Sequence, residues 1–269
     1  MKEMELSPIG VFDSGVGGLT VIRELETQLP QENYIYYADT AHVPYGSRDP
    51  QELKGFAQTI TAFLVEQGCK MIVIACNTST SLAYEELVSR FAVPIIGVIE
   101  PGVDGALKVS KNEKIGIIGT LATVNSGAYQ RIIKKKNPQA EVVAVPCPRF
   151  VPLVEEGQVE GPEVDETAQM YLKPLQETGV DTLILGCTHY PFLRPVIERI
   201  MGKGVNIIDP AWETVRRAGL SLQNLGLVNC NEDKQSPIFY ASGDPESFRK
   251  TGSRFLGRDL GNVRGISLS

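Results

Sequence analysis

Residues 72–80 read IVIACNTST: an apolar, β-branched run that ends in a cysteine and passes at once into small polar residues. Such a run, too short for a buried helix and followed by helix-starting residues, reads as a buried strand feeding a helix. The same arrangement returns at residues 183–191 as LILGCTHYP. Cys76 and Cys187 thus hold like places nearly half the chain apart, which suggests two related halves, each offering one thiol.

Working outward, the chain alternates short apolar runs with longer amphipathic stretches. PIGVF (8–12), NYIYYA (33–38), MIVIA (71–75) and VPIIGV (93–98) are expected strands. KIGIIG (114–119), EVVAV (141–145), DTLILG (181–186) and VNIID (205–209) repeat the theme. Helices are expected over 19–29, stopping at Pro30, and over 50–67, with Asp49 as N-cap and Pro50 in the first turn. Others are expected over 80–91, 126–136, 162–177, 191–200 and 212–223. PIFYASG through NVRGISLS (237–269) adds one or two strands and a helix. This order predicts an α/β fold with doubly wound, mainly parallel sheets. Pro101–Gly102 and Asp209–Pro210 are the expected crossing points between the halves.

The bulk composition excludes several classes. A chain of 269 residues with 42% hydrophobic content can bury a large core. A formal net charge of −6 argues against a nucleic-acid partner. No apolar run is long enough to span a bilayer, so no membrane partner is expected. MKEMELSPIGVF lacks the continuous apolar core of a signal peptide, and the cytoplasm is the expected compartment. Five scattered cysteines and two histidines make neither a disulfide framework nor a zinc set, so no metal is expected.

Ligands of open parallel sheets bind beyond the carboxyl ends of the strands. Four strands deliver polar clusters there: DSGVGG (13–18), ADTAHVPYGSR (38–48), CNTST (76–80) and CTHYP (187–191). DSGVGG is neither a dinucleotide fingerprint nor a Walker A loop. Its glycines either serve only the turn or let backbone N–H groups approach an anion. Cys69, Cys147 and Cys230 are read as packing residues. Cys76 and Cys187 stand apart because each sits between a strand and a helix start, a position that exposes the sulfur and lowers a thiol's pKa. Asp13 is either a turn former or a carboxylate that tunes the thiols. His189 is either a core histidine or an aid to proton traffic.

Two thiols at one cavity suit a reaction that removes a proton from one face of a carbon and returns one to the other. A Cys187–His189 hydrolase needs only one thiol, and a redox pair needs two that can bond. A two-domain binding module needs no chemistry at all.

GVFDSGVGGLTVIREL, YYADTAHVPYGSR, IVIACNTSTS, VPIIGVIEPG, IGIIGTLATVNSGAY, CPRFVPLVEEG and LILGCTHYPFLRPVI, in this order, resemble the cofactor-independent aspartate/glutamate racemases. The DSGVGGL and PYG pair is similar to the glutamate branch, with a racemase of aspartate as the nearest rival. The likeness spans essentially the whole chain and is weakest beyond Asp209. It implies two similar α/β domains, 1–100 plus 211–269 and 101–210, with the active site in the cleft between them. It implies Cys76 and Cys187 as catalytic acid/bases, assisted by Asp13, His189 and Glu155. Asn77, Thr78 and Thr188 would then hold the amino-acid head group, with Asp13 and His189 beside it. Ser14, Tyr45 and Gly46 would take the side-chain carboxylate, and Thr123 is a further binding candidate.

No cofactor is implied, and the polar clusters hold no lysine for a Schiff base. The implied small-molecule substrate is L-/D-glutamate, the implied role is supply of D-glutamate for peptidoglycan and hence cell-wall biogenesis and cell shape, and a homodimer is common in such racemases. No N-terminal extension of the kind found in precursor-activated racemases is seen, so that regulation is not expected. Ser79 stands where alanine is more usual, and His42 and Val43 depart from a common basic residue and cysteine, which would alter the rim of the site.

Overall fold

The computed structural model describes residues 2–230 and 235–268. A short helix α1 (Lys2–Leu6) precedes β1 (Ile9–Asp13), α2 (Leu19–Gln28), β2 (Tyr34–Ala38), α3 (Pro50–Glu66), β3 (Met71–Ile74), α4 (Asn77–Arg90) and β4 (Ile95–Gly97). Helix α5 (Ile99–Val109) leads to β5 (Lys114–Gly119), α6 (Leu121–Ser126), α7 (Ala128–Lys136) and β6 (Glu141–Pro146). Then come α8 (Phe150–Glu155), α9 (Pro162–Thr178), β7 (Thr182–Gly186), α10 (Arg194–Met201), β8 (Asn206–Ile208) and α11 (Pro210–Leu225). The chain closes with β9 (Ile238–Ala241), α12 (Pro245–Leu256) and β10 (Val263–Gly265).

The strands form two sheets, ordered β10-β9-β2-β1-β3-β4 and β6-β5-β7-β8. Every pairing is parallel, as apolar strands covered by helices on both faces require. The two sheets repeat one plan: a first strand (β1 or β5) lies between the second and third, and the fourth lies outside the third. The order therefore reverses between β1 and β3 in one sheet and between β5 and β7 in the other. That reversal is where α/β sheets open a ligand crevice. Cys76 follows β3 and Cys187 follows β7, so the two cysteines stand at equivalent switch points.

The sheets share a core. One buried cluster runs from Ile9, Tyr36 and Val73 of the first sheet to Leu183, Leu185, Phe150 and Leu193 of the second, and α11 contributes Val215, Ala218 and Leu222. Among the described residues, no helix is long and apolar enough to cross a membrane.

Several elements differ from expectation. Pro101–Gly102 lies inside α5, a helix not expected there, because proline is tolerated in a first turn where its missing N–H has no intrahelical partner. The helix expected over 126–136 is α7, and a short helix not expected, α6, precedes it across Gly127, whose φ of 66° is left-handed. The helix expected over 191–200 opens as a 3-10 turn (Tyr190–Leu193) before α10. Asp49, Asp209 and Asp244 each cap a helix with a proline in its first turn, the local signal behind α3, α11 and α12.

Candidate active site

The carboxyl ends of β1, β3 and β7 converge on one cavity of about 290 Å³. Cys76 and Cys187 both line it, at 4% and 6% exposure. Ser14, Tyr45, Gly46, Asn77, Thr78, Thr188 and His189 join them on its wall. The remaining expected residues, Asp13, Glu155 and Thr123, stand behind the wall and touch residues that line it.

Asp13 ends β1 fully buried. Its Oδ2 accepts from the backbone N–H groups of Gly18 at 2.9 Å and Gly15 at 3.3 Å. Thr188 Oγ1 donates to the same carboxylate at 3.3–3.4 Å. The glycine loop thus spends these two N–H groups on a carboxylate of its own chain, where the sequence left a ligand anion open. Burial raises the Asp13 carboxyl above the usual carboxylate range, against the opposing pull of His189 and the loop N–H groups. Gly17 meets a different need, because a Cβ there would lie 2.3 Å from Thr188 Oγ1 and 2.7 Å from His189 Nδ1.

The two sulfurs are held differently. Cys76 caps α4, its Sγ accepting from Ser79 N at 3.4 Å. Burial, then the Asp13 charge, push its thiol up to about 12, outweighing the Ser79 contacts. The lowered pKa expected from a helix start is thus overturned at Cys76, because the site lies deeper than a sequence reveals. Cys187 Sγ lies 3.9 Å from His189 Nδ1, and His189 Nε2 lies 2.6 Å from Glu155 Oε1. Burial pulls the imidazole down, but the Cys187 and Glu155 contacts prevail and raise it to about 10. These contacts bias His189 toward the imidazolium, with a partner at each ring nitrogen.

This pair has a stability signature. A histidine raised on folding adds stability that is complete below its ordinary ~6.5 and is lost as pH climbs through about 10. Thermal unfolding from pH 6 to 10.5 should show the melting temperature of the wild type falling more steeply than that of Glu155→Gln, which lacks the anionic partner. Parallel slopes would remove the pair from the argument.

The carboxylate-binding candidates are themselves oriented. Tyr129 OH donates to Asn77 Oδ1 at 2.6 Å, leaving the Asn77 NH2 as donor. Thr78, Thr120 and Thr123 form a hydroxyl cluster with separations of 2.9–3.3 Å. Tyr45 OH donates to Asp39, so its hydroxyl is already engaged. Asp39 also receives Ser242 Oγ at 2.7 Å and His42 Nδ1 at 2.8 Å. His42 in turn stacks on Phe56 with ring centroids 4.1 Å apart.

The family model for Asp/Glu/Hydantoin racemases matches residues 9–218. The chain belongs to that family. A glutamate racemase of Desulforudis audaxviator is 45% identical, covering 98% of this chain and 99% of the relative. Among solved structures, glutamate racemase isoform RacE1 of Bacillus anthracis superposes with a TM-score of 0.94 at 37% identity, over 97% of this chain and 98% of that one. Glutamate racemase of Francisella tularensis, solved in complex with D-glutamate, gives 0.92 at 38% identity, over 98% and 99%.

Within this racemase family member, sequence reasoning missed three parts of the site. Cys147, read as packing, lines the cavity beside Pro148, Val151 and Pro152. Thr120 lines it too and caps α6 through Thr123 N at 3.1 Å. Asp39 gathers the rim from residues as distant as Ser242. The threonine after a strand and before a helix was the one readable signal among them.

Proposed function

We propose that this racemase interconverts L- and D-glutamate by a cofactor-independent two-base mechanism, with Cys76 and Cys187 on opposite faces of the α-carbon. The observation that carries the reading is the pair of sulfurs, one from each sheet's switch point, on the wall of a single cavity. One thiolate removes the α-proton while the other thiol delivers a proton to the far face. Running the reaction backwards exchanges their protonation states.

The carbanion is the difficulty, since an α-proton is far less acidic than a thiol. Its charge spreads onto the substrate carboxylate, where preorganised donors strengthen their hold as charge builds. Asn77 NH2, the Thr78 hydroxyl and the Thr188 backbone N–H serve that carboxylate, the Thr188 hydroxyl being held by Asp13. The Ser14 hydroxyl and the Tyr45–Gly46 backbone serve the distal one, and Asp13 with His189 balances charge behind the thiols. The cavity wall contains no lysine that could form a Schiff base.

The two sheets belong to two domains, 1–100 plus 211–269 and 101–210, whose closure excludes water. The enzyme works in the cytoplasm as a homodimer and supplies D-glutamate for peptidoglycan.

The row Cys187–His189–Glu155 also has the order of a hydrolytic nucleophile, base and orienting group. That second reading makes no use of Cys76.

The test is purified protein with L-glutamate in D₂O and no added cofactor or metal. Circular dichroism should decay to zero as deuterium enters the α-carbon. Aspartate, one methylene shorter, should turn over with kcat/KM roughly 100-fold lower. Faster turnover of aspartate would move the assignment to that substrate, and inertness toward both would end the racemase reading.

A further inference from the structure

One buried hydroxyl in this site is unaccounted for. Ser79 lies in the first turn of α4 at 1% exposure, and its Oγ has no hydrogen-bond partner. The other unpartnered buried side-chain atom among the described residues, Glu32 Oε2, at least faces the Lys70 ammonium at 2.6 Å. An orphaned hydroxyl pays its desolvation without return, so alanine would sit here at lower cost. What lies beside it is Cys76, whose sulfur already accepts from the Ser79 backbone N–H at 3.4 Å.

We propose that Ser79 is a positioning residue for Cys76, its hydroxyl idle while the sulfur carries a proton and donating to the sulfur once that proton has left. The thiolate is then held by two donors of one residue, the N–H and the Oγ–H. The inference rests on Cys76 acting as an acid/base. A thiol sulfur is a weak acceptor, whereas hydrogen bonds to ionised groups are about twice as strong. Turning a serine hydroxyl onto the sulfur needs only rotation about side-chain bonds between staggered wells. The donor therefore engages in the charged state and not in the neutral one, which is the differential contact an acid/base requires.

The surroundings make such a donor count. Asp13 at the end of β1 and Cys187 after β7 both oppose charge on this sulfur, while the Ser79 contacts favour it. Burial keeps the Tyr36 and Tyr45 phenols protonated, and the Cys76 charge raises both further. The His189 ring is engaged with Cys187 and Glu155.

The test needs no turnover. The full-length protein is treated with iodoacetamide between pH 7 and 10, and modification is followed cysteine by cysteine with peptide mass spectrometry. Thiolate displaces iodide, so the rate at each site reports its ionised fraction. Ser79→Ala should slow Cys76 roughly tenfold at a given pH, the equivalent of one pKa unit, and leave Cys187 within about twofold. Ser79→Thr, which keeps the hydroxyl, should stay within about threefold of wild type. The acidic limb of kcat/KM against pH should move upward in Ser79→Ala alone. An unchanged Cys76 rate in Ser79→Ala, or an equal loss at both cysteines, overturns the proposal. The alkylation pattern without glutamate turnover would retain the Ser79–Cys76 coupling and discard the assigned reaction.

Discussion

Cys76→Ala and Cys187→Ala each lose racemisation by about 10³-fold or more, yet each still exchanges the α-proton of one enantiomer with solvent. The first half follows from the arithmetic of proton transfer. A positioned acid or base contributes typically about 10² to 10⁴ in rate, and inversion needs both in the same turnover. The second half follows from placement. A remaining thiolate can still remove the proton that faces it, and the deuteron acquired from solvent returns to the same face. The product keeps its configuration and carries a label. Because the cysteines come from different sheets, the two variants should label opposite enantiomers.

Proton NMR of separate L- and D-glutamate samples in D₂O reads the exchange, and circular dichroism reads the inversion. Loss in both variants with opposite labelling separates this enzyme from a Cys187–His189 hydrolase, in which Cys76→Ala is harmless. Labelling of the same enantiomer by both variants would mean the thiols share a face, and the two-base reading would fall. Each substitution removes only a small buried group, so unfolding is checked by thermal melting alongside.

Much of this site is legible in the sequence alone, and the reason is local. A strand that stops at a cysteine and restarts as a helix puts that cysteine at a carboxyl edge, whatever the rest of the chain does. Asp13, Ser14, Asn77, Thr78, Thr188 and His189 inherit their places from the same short-range signal. What stayed hidden depends on residues that meet across long separations. Asp39 gains its role from Ser242, 203 positions later, and Thr188 meets Asp13 across 175. Cys147 looks like packing because it is packing on one side and cavity wall on the other.

Helix α5 was missed because Pro101 and Gly102 are breakers in isolation. In the fold the proline sits in a first turn, and Gly102 leaves room for Pro210, 3.0 Å from where its Cβ would stand. The depth of Cys76 was equally invisible, and depth, not the helix start, sets the direction in which its pKa moves.

Gly17→Ala should lower kcat/KM by roughly 100-fold although Gly17 carries no reactive group. Its added methyl would sit 2.3 Å from Thr188 Oγ1, 2.8 Å from Thr188 Cβ and 2.7 Å from His189 Nδ1. Neither neighbour is the free end of a flexible chain, since Thr188 is tied to Asp13 and His189 to Glu155. Relief therefore means moving the 187–189 segment away from β1, and Cys187 moves with it. A displacement of about 1 Å at a reacting group costs on the order of 10² in rate. The same overpacking should remove about 1–3 kcal/mol of stability, read by denaturant or thermal unfolding.

Gly15→Ala is the internal comparison. Its Cβ would meet only Glu155 Oε1 at 3.3 Å and a Val43 methyl at 3.4 Å, so a loss of no more than about tenfold is expected there. If the loop's glycines served only backbone turning, the two substitutions would cost alike. If Gly17 is there to let the two halves of the site close on each other, only the first is crippling. Its damage should then be partly reversed by Thr188→Ala, which removes the colliding hydroxyl at the expense of one hydrogen bond to Asp13.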